Sequence, residues 1–266
     1  MSQPTLAQIL WQKAIEDNNF EQAQKIYQHL QNTASLDEDY CSVMGLWYLQ
    51  RQEYPQAINA FKEALNFNSS MEDELYYQIA LCYFETAQFQ KAEYYLSKSL
   101  NCDPQFADAI YLYAETLAHL DKKEQAVSHY KYLLKLIPDD VQLCINIAAS
   151  ISQLGHQDEA IEIYHRALML DEDNYYLFSN LGVEYAELGD FADALYCHQR
   201  ALELNNFCAD LWYNLACTYA QIKDEELALD ALEKAINLDE GNKEYAMYDE
   251  ELNILHANGR FWKLVE

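Results

Sequence analysis

The chain has 266 residues, 51% of them hydrophobic, and sets 44 acidic against 17 basic side chains for a formal charge of −27. Such a surface repels phosphate backbones and anionic headgroups, which argues against direct nucleic-acid binding and against docking on an acidic membrane. Six Gly and four Pro leave little room for a many-turned β architecture and favour helices joined by short loops.

The N-terminal stretch MSQPTLAQILWQKAIEDNNF carries neither a basic leader nor a continuous apolar segment, and no later stretch reaches bilayer-spanning length. A small residue then recurs along the chain: Ala23, Ala57, Ala92, Ala126, Ala160, Ala194 and Ala228, in steps of 34 residues except for one of 35. A fixed period near 34 is the signature of stacked helical hairpins. It divides the chain into units 4–37, 38–72, 73–106, 107–140, 141–174, 175–208 and 209–242, the second carrying its extra residue near Asn68-Ser69-Ser70. Each unit reads as two apolar-periodic helices about a short turn. The turns are predicted at Asp17-Asn18-Asn19, Ala87-Gln88, Leu120-Asp121-Lys122, Gly155-His156, Gly189-Asp190 and Lys223-Asp224.

About twelve residues before each recurring alanine lies a second small position: Gly45, Ala80, Ala114, Ala148, Gly182 and Ala216. A third follows seven residues after it, at Ala64, Ser99, Ala167, Ala201 and Ala235. Small residues at crossings let backbones approach, since larger ones overfill the interface. Tyr83, Tyr185 and Tyr219 on first helices, and Phe61, Tyr130 and Tyr164 on second helices, fill the remaining gaps. Pro104 and Pro138 stand where second helices should stop. The first unit departs from the pattern, with Trp11 at its small position and Leu30 downstream, and Leu133 replaces the third small residue of the fourth.

Residues 243–258 read as one capping helix over the last hairpin, with Gly259 as its stop. The apolar tail 260–266 is expected either to fold back on that helix or to dock into another copy or a partner groove. The seven cysteines form no CxxC pair and read as reduced thiols in a cytoplasmic protein.

Trp212-Tyr213-Asn214-Leu215-Ala216-Cys217-Thr218-Tyr219 and Phe178-Ser179-Asn180-Leu181-Gly182-Val183-Glu184-Tyr185 resemble the W-x2-L-G-x2-Y segment of the tetratricopeptide repeat family, which is followed by A-x3-F and P. The resemblance covers residues 4–242. It implies an all-α, right-handed α-solenoid (superhelix) of about seven hairpins, completed by the C-terminal capping helix, and a general interaction scaffold. It also implies that first helices line a concave surface.

On those helices Asn146, Asn180 and Asn214 repeat at 34-residue steps. An asparagine amide matches both the C=O and the N–H of a peptide backbone. Similar asparagine rows bind extended peptides in O-linked N-acetylglucosamine transferases; here the row serves either a peptide or hydrogen bonds between repeats. Tyr77, Tyr111, Tyr176 and Tyr213 add flat amphipathic surface, and Glu74, Asp108, Glu115, Glu187 and Asp210 add acid. Together they point to a protein or peptide partner with basic and apolar residues. The carboxylate clamp of repeats that grip Hsp70/Hsp90 tails needs basic side chains, whereas Gln142, Ile145, Tyr176, Ser179 and Asp210 stand at the matching positions.

The chain carries no G-x-S-x-G, P-loop, H-E-x-x-H or G-x-G-x-x-G, so catalysis, a metal and a cofactor are not expected. His119, His129, His165 and His198 read as structural, and Cys197 and His198 diverge by about 100° on a helix. Two other readings stay open: a bacterial secretion chaperone shielding an aggregation-prone client, and an assembly subunit using its convex face or its tail.

Overall fold

The computed structural model describes residues 6–17, 19–32, 37–67 and 71–266. The expected turn residue Asn18 and the insertion at Asn68-Ser69-Ser70 lie outside the described residues. Among the described residues every regular element is helical, and none is long and apolar enough to cross a membrane. The helices pair in sequence: α1 (Leu6–Glu16) with α2 (Phe20–Asn32), α3 (Glu38–Gln50) with α4 (Tyr54–Ala64), and α5 (Glu72–Glu85) with α6 (Phe89–Cys102). Then come α7 (Ala107–His119) with α8 (Lys123–Leu136), α9 (Val141–Gln153) with α10 (Gln157–Leu168), and α11 (Tyr175–Leu188) with α12 (Phe191–Leu204). Last is α13 (Ala209–Gln221) with α14 (Glu225–Leu238). The fold is that of an all-α solenoid, and the chain divides into two compact units, residues 1–136 and 137–266.

In each unit the recurring alanines are packed to zero exposure, as are Ala64, Ser99, Ala167, Ala201 and Ala235. Four residues after each recurring alanine, one turn along the same face, sits a core side chain: Tyr27, Phe61, Leu96, Tyr130, Tyr164, His198 or Leu232. The close approach is tightest where the first helix carries glycine. A Cβ on Gly45 would lie 2.4 Å from the Phe61 ring, and one on Gly182 would lie 2.4 Å from the His198 ring. The two pairs occupy the same register in different units. In the first hairpin Trp11 is buried and meets Tyr40 edge-on at 5.0 Å, so a large ring fills the place that a small residue takes elsewhere.

The hairpin turns share one backbone device. A left-handed residue recurs at Gln52, Ala87, Asp121, Gly155, Gly189 and Lys223. At Ala87 the amide donates to Phe84 O and the next amide reaches back to Tyr83 O, both at 2.8 Å. The same pair of bonds closes the turns at Asp121, Gly155, Gly189 and Lys223. These are helix C-terminal motifs in which the left-handed residue satisfies otherwise orphaned carbonyls. Only Gly155 and Gly189 adopt the conformation without steric cost.

The end of the chain differs from the single helix expected over 243–258. It forms α15 (Asn242–Tyr248), a 3-10 segment (Glu250–Ala257) and α16 (Gly259–Val265). The break falls at Asp249, whose side chain accepts from the Glu251 amide (2.9 Å) and from the Tyr213 hydroxyl (2.7 Å). Gly259 begins a helix rather than stopping one, because Asn258 caps it through the Arg260 amide at 3.0 Å. The tail folds back on its own unit: Phe261 and Val265 join Leu252, Leu255 and Leu232 in the core. Arg260 pins α16 to α14 through Asp230 (2.7 Å) and Glu233 (2.5 Å).

Two outcomes follow from these contacts. Ala87→Gly removes a left-handed strain with no loss of buried side chain, since Ala87 is exposed. It is expected to raise stability by about 0.5–1 kcal/mol in urea denaturation. His198 is 1% exposed, neither ring nitrogen has a partner, and burial pushes its pKa down to about 4. A depressed histidine makes the unfolded chain the better proton binder between about 6.5 and 4. Stability is therefore full above that window, falls across it by on the order of 3 kcal/mol, and levels below it. His198→Phe reproduces the Gly45–Phe61 pair and should remove this acid-side loss while stabilising the protein at neutral pH. An unchanged pH profile in that variant would show that His198 is not the group responsible.

Candidate functional site

The residues singled out on first helices divide between the units. In unit 1, Tyr77 is half-buried on α5, its ring 5.1 Å from Phe106. Burial, with the charges of Asp108 and Glu74 beside it, pushes its hydroxyl up to about 12. These three residues therefore form one acidic, aromatic group, in which Glu74 also accepts from Gln78 at 2.7 Å. Tyr111 packs edge-on against Tyr130 at 5.8 Å, and the Tyr130 hydroxyl donates to Glu115. Glu115 is thus tied to its own hairpin.

In unit 2 the asparagines share a register but not a set of bonds. Asn146 is exposed on α9 and accepts from Gln142 at 3.0 Å. Asn180 on α11 lies near the buried Tyr164 on α10. Asn214 on α13 donates to Ser179 Oγ on α11 at 3.2 Å, a bond between neighbouring hairpins. Tyr176 stands exposed on the first turn of α11 with its ring 4.1 Å from Tyr175. Glu187, near the end of the same helix, is exposed, as is Asp210 on the first turn of α13.

Three of these residues converge. Asp210, Tyr213 and Asn214 line an open pocket of about 940 Å³ with Gly241, Asn242, Glu244, Tyr245, Tyr248 and Asp249. The Tyr213 hydroxyl donates to Asp249 Oδ2, and burial, followed by this bond, holds Tyr213 protonated well above the ordinary tyrosine range. The Cys217 thiol lies 3.8 Å from the same carboxylate oxygen, and burial followed by the nearby carboxylates raises its pKa, so it stays a thiol. Asp249 thereby fixes both the inner wall of the pocket and the break after α15.

Glu244, Tyr245, Tyr248 and Asp249 were read from sequence only as parts of a cap. The signal that reveals their role is the same 34-residue step carried one unit further. Glu244 follows Asp210 by that step, and Tyr248 follows Asn214. Helix α15 is thus the first helix of an incomplete eighth repeat, and it faces α13 across the pocket.

The sequence profile of the tetratricopeptide repeat matches residues 73–106, 141–174 and 209–242. No curated protein sequence matches the chain. Among solved structures, the chain is similar to the C-terminal part of a TPR repeat-containing protein from Cytophaga hutchinsonii, with 18% identity over 83% of this chain and 92% of that one and a TM-score of 0.63. It is also similar to YrrB, described as a TPR protein with an unusual peptide-binding site, with 23% identity over 76% and 98% and a TM-score of 0.54. A third similar structure is MamA from Desulfovibrio magneticus RS-1, with 17% identity over 64% and 96% and a TM-score of 0.54. The repeat is thus recognised three times in the sequence, and the hairpin stack of the fold is that of tetratricopeptide repeat proteins.

Proposed function

We propose that the protein is a non-catalytic interaction scaffold that binds a peptide or protein segment on the first-helix face of unit 2. The observation that carries this reading is the convergence of Asp210, Tyr213 and Asn214 with Tyr245, Tyr248 and Glu244 on one open pocket. Backbone groups of an extended segment are matched by the remaining capacity of the Asn146, Asn180 and Asn214 amides. Tyr176 supplies exposed contact area farther along the same unit. The acidic residues set the encounter rate and select a partner with basic residues. YrrB, which shares the fold, is described as having a peptide-binding site, and that description favours the same use here. The seven free cysteines fit a protein of the reducing cytoplasm.

A second reading, an assembly subunit, is favoured by Met169 and Phe207, which stand 75% and 83% exposed on loops that join hairpins of unit 2. The two readings separate by mutation. If the first-helix face binds, Phe207→Ser leaves peptide affinity unchanged.

A fluorescent peptide library screened on the full chain tests the first-helix face. A selected peptide is expected to lose about tenfold in affinity when Asn146, Asn180 and Asn214 are changed together to alanine. Asn214 also ties its hairpin to the preceding one, so Asp210→Asn serves as the structurally neutral partner variant. It should weaken binding several-fold at low salt and less at high salt, because screening removes the contribution of an exposed charge. Unchanged affinity in both variants sinks the reading.

A further inference from the structure

We propose that the pocket between α13 and α15 is an arginine-binding subsite, which receives a guanidinium side chain from an exposed segment of the partner protein. This rests on the reading of unit 2 as a peptide-binding face, and it names what the pocket at the end of that face selects.

Tyr245 and Tyr248 are 72% and 79% exposed, more than any other described tyrosine. They lie three residues apart on α15, so both rings stand on the same side of the helix. Glu244, on the helix beside them, and Asp210, across the pocket on α13, are exposed carboxylates. Among the described residues neither is in an ion pair, and no cation lines the pocket. The third carboxylate, Asp249, is already occupied by the Tyr213 hydroxyl and the Glu251 amide.

Elsewhere the chain brings its own cations onto such rings. Lys62 lies over Tyr83 and Tyr95, Lys98 over Tyr76 and Tyr94, and Lys234 over Trp212 at 4.0 Å. Among the described residues no Lys or Arg lies over Tyr245 or Tyr248. Two tyrosine faces with two uncompensated carboxylates are the complement of a side chain that is flat, cationic and forked. Arginine meets all three demands, stacking on a ring while its N–H groups pair with a carboxylate, whereas lysine offers a compact, more strongly hydrated charge. The 940 Å³ volume leaves room for flanking backbone beside Asn214.

The test uses the full chain, titrated with N-acetyl-arginine amide, N-acetyl-lysine amide and N-acetyl-norleucine amide and followed by backbone amide NMR. Arginine amide is expected to shift signals of residues 210–214 and 244–249, lysine amide to shift them at least threefold less at equal concentration, and norleucine amide to leave them in place. Tyr245→Ala combined with Tyr248→Ala should cut the arginine response at least tenfold with an unchanged melting temperature, since both side chains are exposed. Equal shifts with norleucine amide, or an arginine response that survives in the double variant, overturn the subsite. A library peptide that binds without arginine and ignores the double variant overturns the subsite and leaves the peptide-binding face standing. Arginine amide bound in the pocket, with no library peptide captured, supports the subsite and overturns the broader reading.

Discussion

The interface inside each hairpin after the first depends on one close approach: a small residue on the first helix against a bulky side chain four residues beyond the recurring alanine. Gly45 against Phe61 and Gly182 against His198 leave no room for even one added carbon. Packing at this density makes the helix pairs rigid bodies, because a side chain that fits only one way fixes both axial position and rotation. The same contact explains a residue that otherwise looks chemical. His198 has the register of Phe61, Tyr130 and Tyr164, so it is a ring in a core socket, held neutral by burial, and its polar character is a cost of that location.

Rigid hairpins still need a turn that returns the chain at a constant angle. The left-handed residue at Gln52, Ala87, Asp121, Gly155, Gly189 and Lys223 supplies it, and four of the six are not glycine. The closing hydrogen bonds and the stacked alanines outweigh the local strain. A constant turn with a constant contact translates surface residues by one step per repeat. That translation is why the register of Asp210 and Asn214 extends to Glu244 and Tyr248 within one unit.

Much of this was legible in the sequence wherever the cause was local or periodic. The alanine spacing, the three small positions and the turns at Ala87, Asp121, Gly155, Gly189 and Lys223 could be read because each hairpin solves the same packing problem. The break at Asp249 could not, since nothing in residues 243–258 requires it. It exists because Tyr213, 36 residues earlier, donates to the Asp249 side chain, and a tertiary bond of that kind leaves no periodic trace. Gly259 misled for a related reason: glycine after an apolar helix suggests a stop, but Asn258 caps the helix that follows. The asparagine row was legible as a register, while the bond of Asn214 to Ser179 depends on a neighbour that register alone does not specify.

The candidate pocket is best understood as a consequence of a repeat register that continues into α15 and then breaks at Asp249. A last hairpin exposes two different surfaces that the next repeat would cover. The apolar one, on α14, is closed by Leu252, Leu255, Phe261 and Val265, with Arg260 fastened to the carboxylates of α14. The polar one, on α13, meets the 3-10 segment through Asp249 and Glu251, while the short helix α15 stands across an open pocket from its first turns. Residues 250–265 therefore close the apolar side of the last hairpin and leave a pocket open between α13 and α15. The charge balance sharpens the result. With 17 cations for 44 acids, and several of those cations held over other aromatic rings, Asp210, Glu244, Tyr245 and Tyr248 meet no cation among the described residues. The pocket between α13 and α15 is the place in unit 2 where an open cavity, acidic side chains and exposed aromatic surface coincide.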